Sequence, residues 1–408
     1  MRDIALRCPF CGTPVTAQES PVTERDGDDL RWGVLGCECC AYPVVDGIPV
    51  VLANDTGREA LRLIEAGQRE AALALCLGLD AERAAAFSAL TSRGEATYRE
   101  LLQVLSPDAE GTYFLYRFSD PTFVMTEGLL RAVAQAPGVF DGPVLDVCGG
   151  SGHLTRVLAS LSRGPVVLAD IFFWKLWLAR AFTVPRAHVV CCDANQPLPF
   201  ARASFSAVML SDAFPYIWQR RMLADDLIRA VRPDGVVLMP HLHSALGFNY
   251  AQGMALTPAA YADLFAPMTP HLYADRALFA QAVEGRVIHL SAPAGPDELA
   301  DEASLSLIAT RRPDVCRTRA VALPAVPVGA LRLNPLYAVV RDGAAYRCTL
   351  TFPTEEYADE FQAVRQYLPD TWTTTVDVTK ACDPAAFGAD LDDLRRRRIL
   401  VDVPVRYC

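Results

Sequence analysis

Two pairs of cysteines near the start of the chain have the spacing of a metal site. Two residues separate Cys8 from Cys11, and two separate Cys37 from Cys40. Four thiolates in two such pairs can close a tetrahedral structural zinc site, which leaves no position open for catalysis. We therefore predict that these four cysteines bind Zn²⁺. Cys39 breaks the two-residue spacing, so the same reasoning leaves it as a spare thiol.

A glycine-rich turn in the middle of the chain forms the second constellation. A predicted strand ends at Asp146 and Val147 and runs into Cys148, Gly149, Gly150, Ser151 and Gly152, after which a helix is predicted. Small residues let the backbone approach a ligand, and a helix N-terminus offers free N–H groups to an anion. Dinucleotides are bound by the same geometry, so the turn alone does not identify the ligand.

Two acidic residues at the ends of the next two predicted strands narrow the choice of ligand. Asp170 ends the second strand, where a carboxylate can accept from both hydroxyls of a ribose. Asp193 ends the third strand, where a carboxylate can accept from an adenine amino group. A ligand that contains adenosine needs both contacts.

With these residues, the chain over roughly 140–314 resembles the class I S-adenosylmethionine-dependent methyltransferases, particularly the branch of the quinone-biosynthesis C-methyltransferases. The matching motifs are DVCGGSG, LAD, CCDA, QPLPFARASFSAVMLSD and VRPDGVV. Cys148 replaces the first glycine of the family pattern, and Ser206 stands where the family often has aspartate. A domain that binds an NAD-type dinucleotide, or no cofactor, is the alternative.

The resemblance implies S-adenosylmethionine as the cofactor and assigns its parts to residues of this chain. The methionine end would lie against Asp146 and the backbone of 148–152, the ribose against Asp170, and the adenine against Asp193 and the Ala194 backbone. The remaining residues that we assign to cofactor binding are Ile171, Ser211 and Arg117, the last in an aromatic run, YFLYRF, that precedes the sheet where such enzymes often carry a lid.

The methyl acceptor is expected above the ends of the fourth and fifth strands. His241 and His243 lie just beyond the fifth strand, and an imidazole can take a proton from a hydroxyl or amine near neutral pH. Tyr216 and Asp212, beyond the fourth strand, are further candidates. Hydrogen bonding to loops is the alternative role for the two histidines.

The end of the cysteine-rich segment carries a second resemblance. The sequence YPVVDGIPVVL at 42–52 is similar to the end of the small zinc-ribbon activator subunit of tRNA, rRNA and release-factor methyltransferases. In that family the ribbon stabilises a partner methyltransferase and shields its apolar face by strand pairing. The resemblance therefore implies a ribbon that shares one chain with its enzyme.

Alternating short apolar runs and helical segments after residue 142 predict the elements that position these residues. We predict strands at 143–147, 165–170, 188–193, 205–211 and 235–240, two more at 286–293 and 304–312, and helices at 152–162, 173–182 and 220–231. The sequence YAVVRDGAAYRCTLTF predicts a hairpin that turns at Asp-Gly.

The predicted fold class is α/β, with a Rossmann-like methyltransferase sheet that is parallel except for one antiparallel strand. A small zinc ribbon precedes this sheet and an α+β extension follows it. The predicted domains are a ribbon at 1–53, a helical connector or lid at 54–138, the methyltransferase domain at 139–314 with an insertion at about 246–284, and the extension at 315–408.

Composition restricts the partners of the chain. The net charge of −10 argues against a nucleic-acid ligand, and the arginines at 395–398 are expected to form surface ion pairs rather than bind an acidic substrate. We expect a cytoplasmic enzyme without a membrane span that could form a homo-oligomer. It would methylate a small molecule in bacterial specialised metabolism; the alternatives are methylation of RNA or a translation protein, and a protein that uses S-adenosylmethionine differently.

Overall fold

The computed structural model describes residues 5–248, 253–285 and 287–408. Strands fall in three groups: a cysteine-rich start, a central α/β region and a C-terminal extension. In chain order they are β1 (Thr16–Gln18), β2 (Glu24–Asp26), β3 (Asp29–Gly36), β4 (Ala41–Val45), β5 (Ile48–Val51), β6 (Val144–Val147), β7 (Val166–Asp170), β8 (His188–Cys192), β9 (Phe205–Met209), β10 (Val231–His243), β11 (Pro270–Ala274), β12 (Val287–Ile288), β13 (Ser304–Ala309), β14 (Arg319–Ala320), β15 (Ala330–Leu333), β16 (Tyr337–Asp342), β17 (Ala345–Leu350), β18 (Thr371–Thr374) and β19 (Leu400–Val403).

Most of the α-helices connect the cysteine-rich segment to the central strands or alternate with those strands. They are α1 (Asp55–Glu65), α2 (Arg69–Leu77), α3 (Ala81–Ser92), α4 (Tyr98–Leu105), α5 (Ala109–Tyr116), α6 (Pro121–Val133), α7 (His153–Leu161), α8 (Phe173–Leu178), α9 (Arg220–Ala230), α10 (Pro258–Phe265), α11 (Asp275–Ala280), α12 (Glu355–Glu360) and α13 (Leu391–Arg396). Short side chains cap several of them; Asp120, for example, accepts from the N–H groups of Thr122 and Phe123 at the start of α6.

One sheet of twelve strands organises the described part of the chain. Its order is β1-β3-β4-β5-β8-β7-β6-β9-β10-β13-β11, and β2 pairs with β3 beside this path. The strands β5 to β10 of this order run parallel, and β13 is antiparallel to both β10 and β11. The architecture is the Rossmann-like α/β fold that the sequence predicts.

The cysteine-rich segment joins the central sheet through its last strand. In β5, Val50 pairs with Cys191 and Val51 with Cys192 in the parallel sense, while Val44 and Val45 of β4 pair with the other edge of β5. Pro43 and Pro49 lie within β4 and β5 and do not interrupt these strands. Gly47, with φ of +77°, forms the tight turn between them.

The structure differs from the predicted strands on one side of the sheet. The first five predicted strands of the central sheet correspond to β6, β7, β8, β9 and β10, and the strand predicted at 304–312 is β13. The strand predicted at 286–293, of which Arg286 lies outside the described residues, is reduced to the two-residue β12, and β12 pairs with β14 outside the main sheet. The edge strand is instead β11, inside the segment that we expected to be an insertion; its five residues between two helices carry too little pattern to be recognised.

The C-terminal extension packs against the connector helices. Strand β15 pairs with β19, and β16, β17 and β18 form a separate sheet whose hairpin turns at Gly343, as predicted. Near the end of the chain, the buried ring of Tyr407 stacks 4.6 Å from Tyr98 at the start of α4, and its hydroxyl lies 2.8 Å from His153 Nε2. The last residues of the chain thereby contact the helix that follows the glycine turn.

Within the described residues, no helix is both long enough and apolar enough to cross a membrane.

The shared sheet predicts that the cysteine-rich segment and the central α/β region unfold together. Ile48 in β5 is fully buried. Ile48→Ala should lower the free energy of unfolding by about 2–5 kcal/mol because it removes buried methyl groups and leaves a cavity. Urea unfolding followed by tryptophan fluorescence measures this change. Val340→Ala, at an exposed position of β16, is the matched control and should change the free energy by less than about 0.5 kcal/mol; an equally small change for Ile48→Ala would contradict the shared core.

Candidate functional site

The glycine turn adopts a backbone that requires small residues. Cys148, Gly150 and Gly152 have φ angles of +58°, +58° and +81°, and these lie in the left-handed region. A Cβ on Gly149 would lie 2.6 Å from Asp146 Oδ2, so this position has no space for a side chain. Cys148, which replaces the first glycine of the family pattern, therefore adopts a left-handed backbone conformation that glycine adopts more readily.

Asp146 lies fully buried beneath the turn. Its Oδ2 accepts a hydrogen bond of 2.6 Å from the Thr155 hydroxyl on α7, whereas Oδ1 has no hydrogen-bond partner among the described residues. Burial raises the pKa of Asp146 to about 7, although the Thr155 bond opposes the shift. An oxygen that is buried and unpartnered indicates that a donor is still to be supplied at this place.

Asp170, at the end of β7, connects the turn to the next loop. Its two carboxylate oxygens accept from the N–H of Gly150 and the N–H of Phe172, each at 2.9 Å. Burial raises its pKa, and the nearby Lys175 ammonium opposes that shift. Each oxygen keeps a second lone pair, so Asp170 can still accept from a ligand.

The residues predicted for the adenine lie at the next strand end. Asp193 is half-buried and accepts from the Asn195 backbone N–H at 2.8 Å, and Ala194 is buried. Ile171 and Phe172, which follow β7, expose 39% and 48% of their surfaces. An apolar surface beside an accepting carboxylate is the combination that a purine ring needs.

An aromatic segment on α5 lies over the turn and reaches the neighbouring strand ends. A Cβ on Gly150 would lie 2.8 Å from the Phe114 ring, so this ring rests directly on the turn. The Tyr113 hydroxyl donates to Asp212 Oδ2 at 3.4 Å. The Lys175 ammonium lies 5.0 Å from the centre of the Phe114 ring and 2.5 Å from Glu110 Oε1. This segment therefore contacts both the glycine turn and the strand ends beyond it.

Arg117 and Ser211 differ in how far their hydrogen-bonding capacity is used. Arg117 is buried and pairs with Asp120 and the Thr122 hydroxyl, so its guanidinium is held by its own segment instead of reaching freely toward the turn. The Ser211 hydroxyl is buried and has no hydrogen-bond partner among the described residues. Ser211, like Asp146, thus has a hydrogen-bonding group without a partner near the carboxyl end of a strand.

Each of the two predicted histidines is paired with a carboxylate. His241 Nδ1 lies 2.9 Å from Asp275 Oδ2, and Asp275 Oδ1 accepts from the Ser306 hydroxyl at 2.6 Å. His243 Nε2 lies 3.0 Å from Asp212 Oδ1. The two imidazole rings are 4.8 Å apart, so the two pairs form one cluster at the ends of β9 and β10.

Backbone strain and charge both concentrate at this cluster. Asp212 and His241 have φ angles of +66° and +58°, which non-glycine residues adopt only when the surrounding structure enforces them. Burial opposes the charged form of each group. Even so, the carboxylates of Asp275 and Asp212 raise the pKa of His241, and the hydrogen bond from His243 holds the pKa of Asp212 below its usual range.

The structure brings together some predicted residues and adds others. Tyr216 exposes 54% of its surface in a short 3₁₀ turn, Phe214–Tyr216, whereas His241 and His243 are largely buried. Asp275 was not predicted, because it lies 34 residues after His241 and the two side chains meet only through the pairing of β10 and β11 with opposite edges of β13. An acidic residue in the first turn of a short helix is common, so the sequence around Asp275 does not indicate a functional role.

The cysteine cluster differs from the predicted ligand set. Ligand atoms within 4.8 Å of one another are provided by Cys8, Cys37, Cys39 and Cys40. The Cys39 Sγ lies 3.7 Å from Cys8 Sγ and 3.8 Å from Cys37 Sγ. Cys11 Sγ lies 3.7 Å from Cys37 Sγ but is outside the mutual group. The turn at Cys37 thus places the Cys39 sulfur, which the two-residue spacing left out of the predicted ligand set, beside the sulfur atoms of Cys8 and Cys37.

Sequence comparison places a known domain on the central sheet. Residues 144–235, from β6 into β10, match the family model described as a methyltransferase domain. No curated protein matches the chain. The chain therefore carries a methyltransferase domain, and the glycine turn and the Asp212 loop both lie within it.

Solved structures are similar to the chain at low identity. One is the Haloferax volcanii complex between the Trm112 methyltransferase activator and a methyltransferase, with 15% identity over 45% of this chain and 88% of that chain and a TM-score of 0.34. Another is Haemonchus contortus phosphoethanolamine N-methyltransferase 2, with 15% identity over 53% and 60% and a TM-score of 0.37. A third is a SAM-dependent methyltransferase from Aquifex aeolicus, with 13% identity over 48% and 96% and a TM-score of 0.34.

Proposed function

We propose that this methyltransferase transfers the methyl group of S-adenosylmethionine to a small-molecule acceptor that lies over the cluster of Asp212, His241, His243 and Asp275. The observation that carries the proposal is the continuous edge formed by the glycine turn, the Asp170 and Asp193 strand ends, and the histidine–carboxylate cluster. An adenosine cofactor and its acceptor need these two neighbouring regions. The motifs favour the quinone-biosynthesis branch and a role in bacterial specialised metabolism.

The groups at the glycine turn fit S-adenosylmethionine. The unpartnered oxygen of Asp146 can accept from the cofactor's ammonium group, and the absence of a side chain at Gly149 and Gly150 keeps the backbone accessible to its methionine end. Asp170 would accept from the ribose hydroxyls, and Asp193 from the adenine amino group beside Ile171. When bound, the cofactor supplies an electrophilic methyl group on a sulfonium, so the protein has to align the acceptor and exclude water.

The rim around the cluster favours an acceptor with an apolar body. Large apolar side chains remain exposed on the loops that follow β7, β9 and β10. The exposed residues are Ile171, Phe172, Trp218, Leu246, Phe248 and Met254. A small organic molecule can bury such a rim, whereas a nucleic acid would meet the carboxylates of Asp212 and Glu360. Methylation of RNA or a translation protein remains the rival that the ribbon suggests.

His241 is the residue that we assign to accept the acceptor's proton. Asp275 holds Nδ1, which leaves Nε2 as the basic nitrogen, and the Ser306 hydroxyl fixes Asp275 in turn. With S-adenosylmethionine bound, the acceptor would supply the electron pair for the new bond to the methyl group and would then lose a proton. The proton released by the acceptor passes to His241. Asp212, paired with His243, provides negative charge next to the cationic imidazolium.

The cysteine cluster is proposed to hold a structural zinc ion. A tetrahedron with Zn–S bonds of about 2.3 Å has sulfur–sulfur edges of about 3.8 Å. The Cys39 Sγ lies 3.7 Å from Cys8 Sγ and 3.8 Å from Cys37 Sγ, which match that edge, and 3.4 Å from Cys40 Sγ, which is shorter. Cys39 and Cys40 donate their backbone N–H groups to Cys37 Sγ, which stabilises a thiolate. We assign the ligands to Cys8, Cys37, Cys39 and Cys40.

Cofactor binding is tested by Asp170→Asn. The substitution keeps the side-chain volume but removes the charged acceptor, so affinity for S-adenosylhomocysteine should fall about 10- to 100-fold. Isothermal titration calorimetry measures the affinity, and Asp141→Asn, at an exposed acid before β6, should leave it unchanged. Equal affinities for wild type and Asp170→Asn would mean that the adenosine does not lie at this strand end.

The role of His241 is tested through the pH dependence of kcat/KM. A base must be neutral, so the rate should rise with pH through a pKa above the ordinary histidine value of about 6.5. Asp275→Asn keeps an acceptor for Nδ1 but removes the negative charge, so the acid limb should move to lower pH. The charged groups that face His241 are Asp275, Asp212, Asp120, Glu360 and His243.

Two further variants make the pH experiment decisive. Asp297→Asn, at an exposed acid, should leave the acid limb in place. His241→Gln should lose turnover while its affinity for S-adenosylhomocysteine stays within about twofold. An acid limb that does not move in Asp275→Asn, or full turnover in His241→Gln, excludes this histidine as the proton acceptor.

Zinc binding is tested by metal analysis of purified protein. Wild type should contain about one Zn²⁺ per chain. Cys39→Ser should lose most of it, whereas Cys11→Ser should keep it, because Cys11 lies outside the mutual group. The reverse result would return the ligand set predicted from the two-residue spacing, and a folded wild-type protein without metal would refute the zinc site.

A further inference from the structure

A cavity rich in arginine lies between the helices of the methyltransferase region and the C-terminal strands, apart from the glycine turn. Phe118 and Phe123 form one apolar wall of it. Helices α6 and α7 contribute one side, and α13 and β19 contribute the other. The charged residues that line it are Glu127, Arg131, Arg156, Arg395, Arg398 and Asp402.

Both carboxylates that line the cavity already have partners within the protein. Glu127 pairs with Arg131 at 2.7 Å and also with Arg398, and although burial opposes the shift, these two cations lower its pKa to about 2. Asp402 accepts from Arg156 Nη2 at 2.9 Å and from two backbone N–H groups. Four guanidinium groups therefore face two carboxylates, and the lining carries an excess of positive charge.

Arg395 is the cation of this group that forms no ion pair. Only 6% of its surface is exposed, and its hydrogen bond among the described residues is donated to the Pro324 carbonyl at 2.7 Å. No carboxylate of the described part of the chain lies within ion-pair distance of it. Burial lowers its pKa; Asp402 and Glu127 oppose this shift from beyond ion-pair distance, and Arg398 adds to it. A buried guanidinium that forms no ion pair is costly, so the cavity favours an added anion.

Arg398 has a second unsatisfied donor at the same place. Its Nε is buried without a hydrogen-bond partner, and its backbone adopts a φ of +57°, which brings it back toward Glu127 after α13 ends. Surface ion pairs were expected for the whole run at 395–398. That expectation holds for Arg396 and Arg397, which pair with Asp393, but Arg395 and Arg398 are buried.

We propose that this cavity binds a tetrahedral oxyanion, either free phosphate or the phosphate group of a small phosphomonoester, between Arg395, Arg398 and Arg156. Planar guanidinium groups match phosphate oxygens in pairs. The proposal does not depend on the methyl-transfer assignment. Arg156 belongs to α7, which begins at the glycine turn, and Arg395 and Arg398 belong to the C-terminal extension. The anion would therefore fasten the extension to the helix that follows the turn.

Thermal unfolding of the full chain with inorganic phosphate and, separately, glycerol phosphate tests the proposal. Wild type should show a saturable rise in unfolding temperature, and sodium chloride at equal ionic strength should not reproduce it. The ligand with the lower apparent Kd identifies the source, free phosphate or an ester. If neither raises the unfolding temperature beyond the chloride control, the cavity does not bind this class of anion.

Two variants locate the effect. Arg395→Gln should raise the apparent Kd at least tenfold. Because it removes a buried charge that forms no ion pair, the variant should still fold, and without phosphate it should unfold at a temperature no lower than that of wild type. Arg397→Gln changes a partly exposed neighbour outside the cavity lining and should keep the wild-type response. A phosphate response that survives in Arg395→Gln would also overturn the proposal, and ³¹P NMR line broadening provides the same comparison without heating.

Discussion

The parallel pairing of β5 with β8 is the contact on which the arrangement of the whole chain depends. A sheet edge carries unpaired N–H and C=O groups, and these must find partners when the edge is buried. Val50 and Val51 of β5 pair with Cys191 and Cys192 of β8 and so provide these partners. Both strands are almost fully buried. The cysteine-rich segment is therefore part of the central sheet, and the strand that precedes Asp193 is an interior strand of it.

Two segments that are distant in sequence meet at the start of α7. Tyr98, at the start of α4, and Tyr407 stack on each other. Tyr98 contacts Ser151 in the glycine turn, and Tyr407 contacts His153 at the start of α7. All four side chains are buried. The helix that follows the glycine turn is consequently fixed from both directions, and the turn keeps a left-handed backbone that would relax in a less constrained loop.

Charge in the candidate site is controlled by burial and by close pairing. Asp146 and Asp170 have few compensating charges, so burial raises their pKa values, whereas the partnership with His243 lowers that of Asp212. Glu360, on the C-terminal extension, has its pKa raised first by burial and then by Asp120 and Asp212. The extension therefore contributes to the electrostatics of a site whose residues all precede it in the chain.

Local patterns in the sequence determined the strands that end at Asp146, Asp170 and Asp193, the helix after the glycine turn, and the hairpin at Gly343, because apolar periodicity and turn residues act over a few positions. They also indicated the cysteine cluster and the two histidines. The partner of His241, the place of Cys39, the edge strand β11 and the burial of Arg395 and Arg398 were decided only in the tertiary structure. Each depends on a contact between segments distant in sequence or on the folding of a tight turn, and no local pattern records which side chains such packing brings together.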